Sequence, residues 1–263
     1  MMRAVRSEAA RLKSPAILLS GIGLMTFFGV VATTILFYTA ASGTTSGPPN
    51  TQQVTAAMLE APDGMFVGLQ NFAAMLGIVT LVVWAMAVTS DYSSGLIRLL
   101  VQAEPSRLRL LAGKVIALTG FTCLATLVTT AIVVLLAPGI ADLNGVSTGA
   151  WGDDLARTIV AGYLDLTLSV LLWGVVGLFV GMITRSTGIA IGIGIGYLLV
   201  FEGIVSLLLS DASRWLPGAA FSAIAFGGST DMSFAAALWV SAAYASVALA
   251  MTAVTFHRRD ITA

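Results

Sequence analysis

The sequence predicts an all-α polytopic membrane protein with six transmembrane helices, and three observations carry that prediction. Hydrophobic residues make up 57% of the 263 residues and charged residues only 10%, whereas soluble domains run near a quarter charged. Mean hydropathy is +0.95. The apolar residues gather into six runs, each near or above the ~20 residues that a helix needs to cross a bilayer core. The polar connections leave no room for a soluble catalytic domain, so residues 1–263 read as a single membrane domain. The formal net charge is zero, and no nucleic-acid partner is expected.

Residues Met1 to Lys13 come first. On a helix of period 3.6, Met2, Val5, Ala9 and Leu12 share one side and Arg3, Arg6, Arg11 and Lys13 the other. That is the pattern of a basic amphipathic helix lying on an anionic membrane surface. Pro15 to Tyr38 is the first span. It is longer than the ~7–15 apolar residues of a cleaved signal peptide, so a retained helix is expected. A connection rich in Ser, Thr, Gly and Pro follows, and Phe66 to Thr89 is the second span. Leu110 to Ala137 is the third, which Pro138-Gly139 is expected to end. Ile159 to Met182 is the fourth, Thr184-Arg185-Ser186 a tight polar turn, and Ile189 to Leu209 the fifth. Asp211 to Asp231, containing Trp, Pro and Gly, is apolar enough to lie in the interface. Phe234 to Phe256 is the sixth span.

Six spans put both termini on one side. The termini and the second and fourth connections hold eleven of the thirteen Lys and Arg residues; the other connections hold only Arg157 and Arg214. By the positive-inside rule both termini are cytoplasmic and the protein sits in the cell inner (plasma) membrane.

Chemistry within the chain is sparse. Gly113-Lys114 is the only Gly-Lys pair, with Val115 after it and no glycine five residues before Gly113. A phosphate-binding loop needs those glycines to bring backbone N–H groups to the phosphates. No bound cofactor is therefore expected in this chain. One His, one Cys and no His-Glu-x-x-His spacing give no metal site and no catalytic residues. Gly145-Val146-Ser147-Thr148-Gly149 matches a nucleophile elbow in letters, without the preceding strand that the motif requires.

Asp165 and Glu202 lie inside the fourth and fifth spans. A charge at mid-bilayer costs ~2.5–3.5 kcal/mol on insertion scales, which makes both candidates for lining a translocation path or carrying protons. The alternative is a carboxyl hydrogen-bonded between helices. In the fifth span Gly188, Gly192 and Gly196 recur every fourth residue, a spacing that lets helices approach closely in lipid. That contact is either within one bundle or between two copies. Gly174, Gly177 and Gly181 form a similar seam in the fourth span.

The most informative stretch is Asp91 to Lys114, a long charged break between two apolar runs. Asp91-Tyr92-Ser93-Ser94 reads as a helix start with acceptor side chains. Leu96, Leu99 and Leu100 give an apolar face from which Arg98 points away. Glu104-Pro105-Ser106 breaks that helix, since proline does not continue it and serine caps the next.

This stretch resembles the loop between the second and third spans of type-2 ABC transporter permeases. The matching elements are Asp91, Ser94-Gly95, Arg98-Leu99-Leu100, Pro105-Ser106-Arg107 and Gly113-Lys114. The family often has Glu where Asp91 stands and Thr where Leu96 stands. The resemblance implies a coupling helix at about 91–105, with Asp91, Ser94, Gly95, Arg98, Leu99, Glu104, Pro105 and Arg107 meeting a separate cytoplasmic ATPase. It also implies an outer re-entrant pair of short helices within 211–231, matching the connector, and the interfacial helix at 1–13. By the same resemblance the complex holds two ABC ATPase subunits, which carry ATP and Mg, and a second permease, identical or paralogous. The first and fifth spans would then lie near the interface between the permeases, in membrane lipid. The expected function is export of an amphipathic drug, lipid or peptide, by a chain that is not itself an enzyme. A proton-coupled secondary transporter using Asp165 or Glu202 is the alternative, and an intramembrane enzyme a distant third.

Overall fold

The computed structural model describes residues 8, 10–12, 14–42, 54–95 and 106–258. Among these residues the secondary structure is helical throughout, with no strand. The helices are α1 (Pro15–Ala41), α2 (Ala56–Glu60), α3 (Gly64–Asn71), α4 (Ala73–Ser93), α5 (Arg107–Leu143) and α6 (Leu155–Thr184). Then come α7 (Thr187–Ile195), a π-helical turn (Gly196–Phe201) that joins it to α8 (Glu202–Leu208), α9 (Ser210–Ser213), α10 (Pro217–Ala225) and α11 (Phe234–Arg258). Among the described residues six helices are long and apolar enough to cross a membrane, counting Thr187–Leu208 as one, so the chain is a multi-pass membrane protein.

The core is built on α4 against α6, the most extensive helix pair. A methyl group at Gly177 would overlap the Leu81 carbonyl oxygen, and one at Gly181 would stand 2.9 Å from Ala85 Cα. Gly174 likewise meets the Trp84 ring at 2.7 Å. In lipid no hydrophobic drive pulls helices together, so this close backbone approach supplies the packing that does. Interhelical hydrogen bonds add to it: Trp84 Nε1 donates to Thr122 Oγ1 at 2.9 Å, and Thr26 and Thr129 share a 3.1 Å bond between α1 and α5.

The glycines of the fifth span behave differently. A methyl group added at Gly188, Gly192 or Gly196 would meet nothing from other parts of the chain within 4 Å, whereas one at Gly194 would stand 3.0 Å from a Leu81 side-chain carbon.

Three local expectations are corrected. The span expected at Phe66 to Thr89 is two helices, because Phe72 (φ −103°, ψ 16°) breaks the chain between α3 and α4. Every residue of α3 is buried, and the break follows the polar pair Gln70-Asn71. The third span does not stop at Pro138. α5 runs on to Leu143 because Ala137 and Ala141, both fully buried, continue the packed face while Pro138 turns outward. It ends where Gly145 (φ 69°) lets Val146 N–H reach Ala141 O and Gly145 N–H reach Asp142 O. Finally, Asp91 to Ser94 ends a helix rather than starting one. Ser94 Oγ and Ser93 Oγ donate to Ser90 O at 2.6 and 3.2 Å, beside the Ser94 N–H that the same carbonyl accepts at 3.0 Å. Gly95 then takes φ 67°.

The serine of the elbow-like motif also finds no partner chemistry. Ser147 is exposed beyond the end of α5, while His257 lies beside Arg107 at the opposite end of that 37-residue helix. A helix of that length separates them by about 55 Å.

Candidate functional site: a buried charge cluster at the α4–α5 junction

The two helix ends that bound the charged stretch meet in an ionic cluster. Asp91 sits in the last turn of α4, where a carboxylate adds to the negative end of the helix dipole and needs cations nearby. Two reach it. Arg11 Nη1 lies 2.6 Å from Asp91 Oδ1, and Lys114 Nζ lies 2.8 Å from Asp91 Oδ2. Glu8 closes the ring, 3.0 Å from Lys114 and 3.4 Å from Arg11. Lys114 donates hydrogen bonds to Glu8 Oε2 at 3.0 Å and to the Ala87 carbonyl at 2.9 Å, while its contact with Asp91 is an ion pair.

Burial decides what the cluster is worth. The side chains of Asp91, Glu8 and Lys114 are only 2%, 9% and 10% exposed. Two carboxylates and two cations cancel formally, which is the condition for holding charges away from water. Glu8 and Leu12, one helical turn apart and both buried, turn the described part of the N-terminal segment inward. Leu12 falls on the side expected to be apolar, but Arg11 spends its charge on Asp91.

Further ties converge on the same end. Tyr92 OH donates to Met182 Sδ at 3.1 Å, and the Arg185 guanidinium lies 5.0 Å over the Tyr92 ring. Thr89 and Thr187 hydroxyls bond at 2.5 Å. Ser186 Oγ accepts from Ile189 N–H and starts α7. Arg107, the first residue of α5, donates to Phe256 O at 2.9 Å and His257 O at 3.1 Å, placing a cation on the C-terminal carbonyls of α11. The N-terminal segment, the α6–α7 turn and the end of α11 are therefore all fastened to the two helix ends flanking 96–105.

Of the expected coupling residues, Asp91, Ser94, Gly95 and Arg107 belong to this assembly or border it. Arg98, Leu99, Glu104 and Pro105 lie outside the described residues, as do Met1 to Ser7. Glu8 and Arg11 were not expected at the site. The signal for Glu8 was present in the sequence: a lone acid in a basic segment, three residues before Arg11.

Asp165 and Glu202 are brought to the two ends of one short helix, α10. Glu202 Oε1 accepts from Gly218 N–H at 2.7 Å in the first turn, and Glu202 is 2% exposed. Asp165 Oδ2 lies 3.4 Å from where a side chain on Gly227, just past the last turn, would begin. Glu202 thus carries a hydrogen bond between the fifth span and α10. Among the described residues no group of three His, Cys, Asp or Glu side chains is placed to hold a metal ion.

Residues 51–262 match the family model described as a protein of unknown function (DUF2705). No curated protein matches the chain.

Proposed function

We propose that this chain, which belongs to the DUF2705 family, is the membrane-spanning permease subunit of an ATP-driven ABC exporter of the type-2 class. The observation that carries the reading is the buried cluster of Glu8, Arg11, Asp91 and Lys114. A loop that merely connected two spans would have no use for three charges held out of water at its base, with Arg11 closing the cluster at its edge. A loop that receives force from a partner needs a stem that does not yield. The cluster makes the ends of α4 and α5 and the N-terminal segment one stiff unit.

In this reading, closure of two ABC ATPase subunits around ATP and Mg pushes on the loop through Arg98 and Leu99. The stem passes the motion to α5, and Arg107 passes it on to α11. The ATP-binding residues belong to the partner. A second permease, identical or paralogous, completes the path, and the unfilled face of Gly188, Gly192 and Gly196 is compatible with such a neighbour. The cytoplasmic position of both termini, the inner (plasma) membrane location and the re-entrant, outward placement of α9 and α10 belong to the same proposal. An amphipathic cargo fits the apolar composition. A proton carrier at Asp165 or Glu202 is the weaker reading, since Glu202 is already engaged by Gly218.

Replacing Arg98 and Leu99 together by Ala tests the proposal. The expected result is loss of a copurifying ABC ATPase from the detergent-extracted chain, with unchanged helix content and gel-filtration volume. An unaltered yield of ATPase, or the absence of any ABC ATPase from the parent preparation, contradicts it.

A further inference from the structure

The geometry points to Glu202 as a latch that clasps the short helix α10 onto the fifth span, so that α10 is released as a unit when the contact opens. This inference stands on the fold alone and is independent of the ATPase reading.

The first turn of α10 lacks its own cap. Leu216 precedes it and offers no side-chain acceptor, Pro217 has no N–H, and Gly218 supplies the first free donor. An open donor inside a membrane protein has no water to satisfy it, so an acceptor must come from elsewhere in the chain. Glu202 is that acceptor, sixteen residues earlier. Gly218 is fitted for it: a methyl group there would stand 2.8 Å from Oε1 and overlap Oε2.

The fifth span is shaped to present this carboxylate. Ala190, Gly194, Leu198 and Glu202 are its buried positions, each four residues after the last. In a regular α-helix every fourth residue drifts by about 40°, which over three steps would carry Glu202 about 120° away from Ala190. The wide π-helical turn at Gly196–Phe201 winds more slowly and removes much of that drift. Glu202 follows it directly and stays on the inner face.

The rest of α10 is held by packing and by a glycine turn at its far end. Phe221 packs edge-on against Trp173 with ring centroids 5.3 Å apart, and Ala220, Ala223, Ile224 and Ala225 are buried. At its far end Gly227 and Gly228 reverse the chain, with Gly228 N–H on Ala223 O at 2.8 Å. Tyr244 OH holds the preceding loop through Trp215 O at 3.2 Å. A helix closed at one end by a local glycine turn and at the other by a single remote carboxylate has one obvious point of release.

Hydrogen exchange on the full-length chain in lipid nanodiscs reads this directly. Glu202→Ala is expected to speed exchange of the 218–225 amides by about tenfold, the effect of leaving a buried donor without its acceptor, with α6 amides unchanged. Glu202→Gln keeps a carbonyl acceptor and is expected to hold the parent rate. Gly218→Ala keeps the carboxylate but fills its seat, and is expected to behave as Glu202→Ala; it decides the matter if Glu202→Ala does not fold. Parent-rate exchange in both Ala variants overturns the latch. So does acceleration spread equally over α6 and α10, or a Glu202→Gln chain that exchanges like Glu202→Ala.

Discussion

Asp91→Asn is expected to lower the stability of the folded chain by about 3–5 kcal/mol, the cost of leaving a buried charge without its partner. The substitution barely changes shape, so the loss isolates the charge. In its place Lys114, 10% exposed, and Arg11 face Glu8 alone, and the cluster carries a net positive charge inside the protein. Reversible unfolding in mixed micelles, followed by far-ultraviolet circular dichroism, gives the number. The companion variant Asp91→Asn/Lys114→Gln restores neutrality. It is expected to be less destabilised than the sum of its two single variants, by about 1–3 kcal/mol of coupling. Strict additivity would mean that Asp91 and Lys114 do not act as a pair. Exchange at residues 10–12 should rise in Asp91→Asn, because Arg11 loses its nearest anion.

Gly177→Ala is expected to cost about 3 kcal/mol, at the upper end of core overpacking, while Gly192→Ala changes stability by less than about 0.5 kcal/mol. The two glycines occupy similar small-residue stripes, and sequence spacing does not tell them apart. Their surroundings do. The Leu81 carbonyl stands where a Gly177 methyl would go, and backbone does not move aside as a side chain does. Gly192 has open space. Equal losses at both positions in the same unfolding assay would contradict the arrangement of α6 on α4.

The long elements were readable because crossing a bilayer leaves a coarse and lengthy signature. Six apolar runs required nothing beyond composition and length, and six long apolar helices are present. What escaped reading were features set by a few atoms of tertiary contact. The break at Phe72 follows the polar pair Gln70-Asn71, which spacing alone does not mark as a helix end. Pro138 usually stops a helix, yet buried Ala137 and Ala141 carry α5 past it. The hydroxyls of Ser93 and Ser94 suit either end of a helix, and only the position of Asp91 against Lys114 fixes which end this is. The π-helical turn has no letter code at all, and the contact that Glu202 makes just after it is with Gly218, sixteen residues on.

Charge was legible in part. Asp91 and Lys114 stood out as members of one stretch, but their direct pairing, and the recruitment of Glu8 and Arg11, depend on helix ends meeting across the bundle. Asp165 and Glu202 stood out because intramembrane acids are costly. Their shared neighbour, α10, could not be read from spacing, since its sequence carries no charge of its own.

Site-specific photocrosslinking from Leu99 tests the central claim, that the stretch bounded by Asp91 and Lys114 receives a partner ATPase. A benzophenone amino acid is placed at Leu99 in one chain. In another it replaces Leu143, which is 86% exposed at the far end of α5. Both are irradiated in native membranes and the adducts identified by mass spectrometry. An ABC ATPase crosslinked from position 99 and not from 143 is the expected result. No ATPase adduct from 99, or equal adducts from both positions, would contradict it.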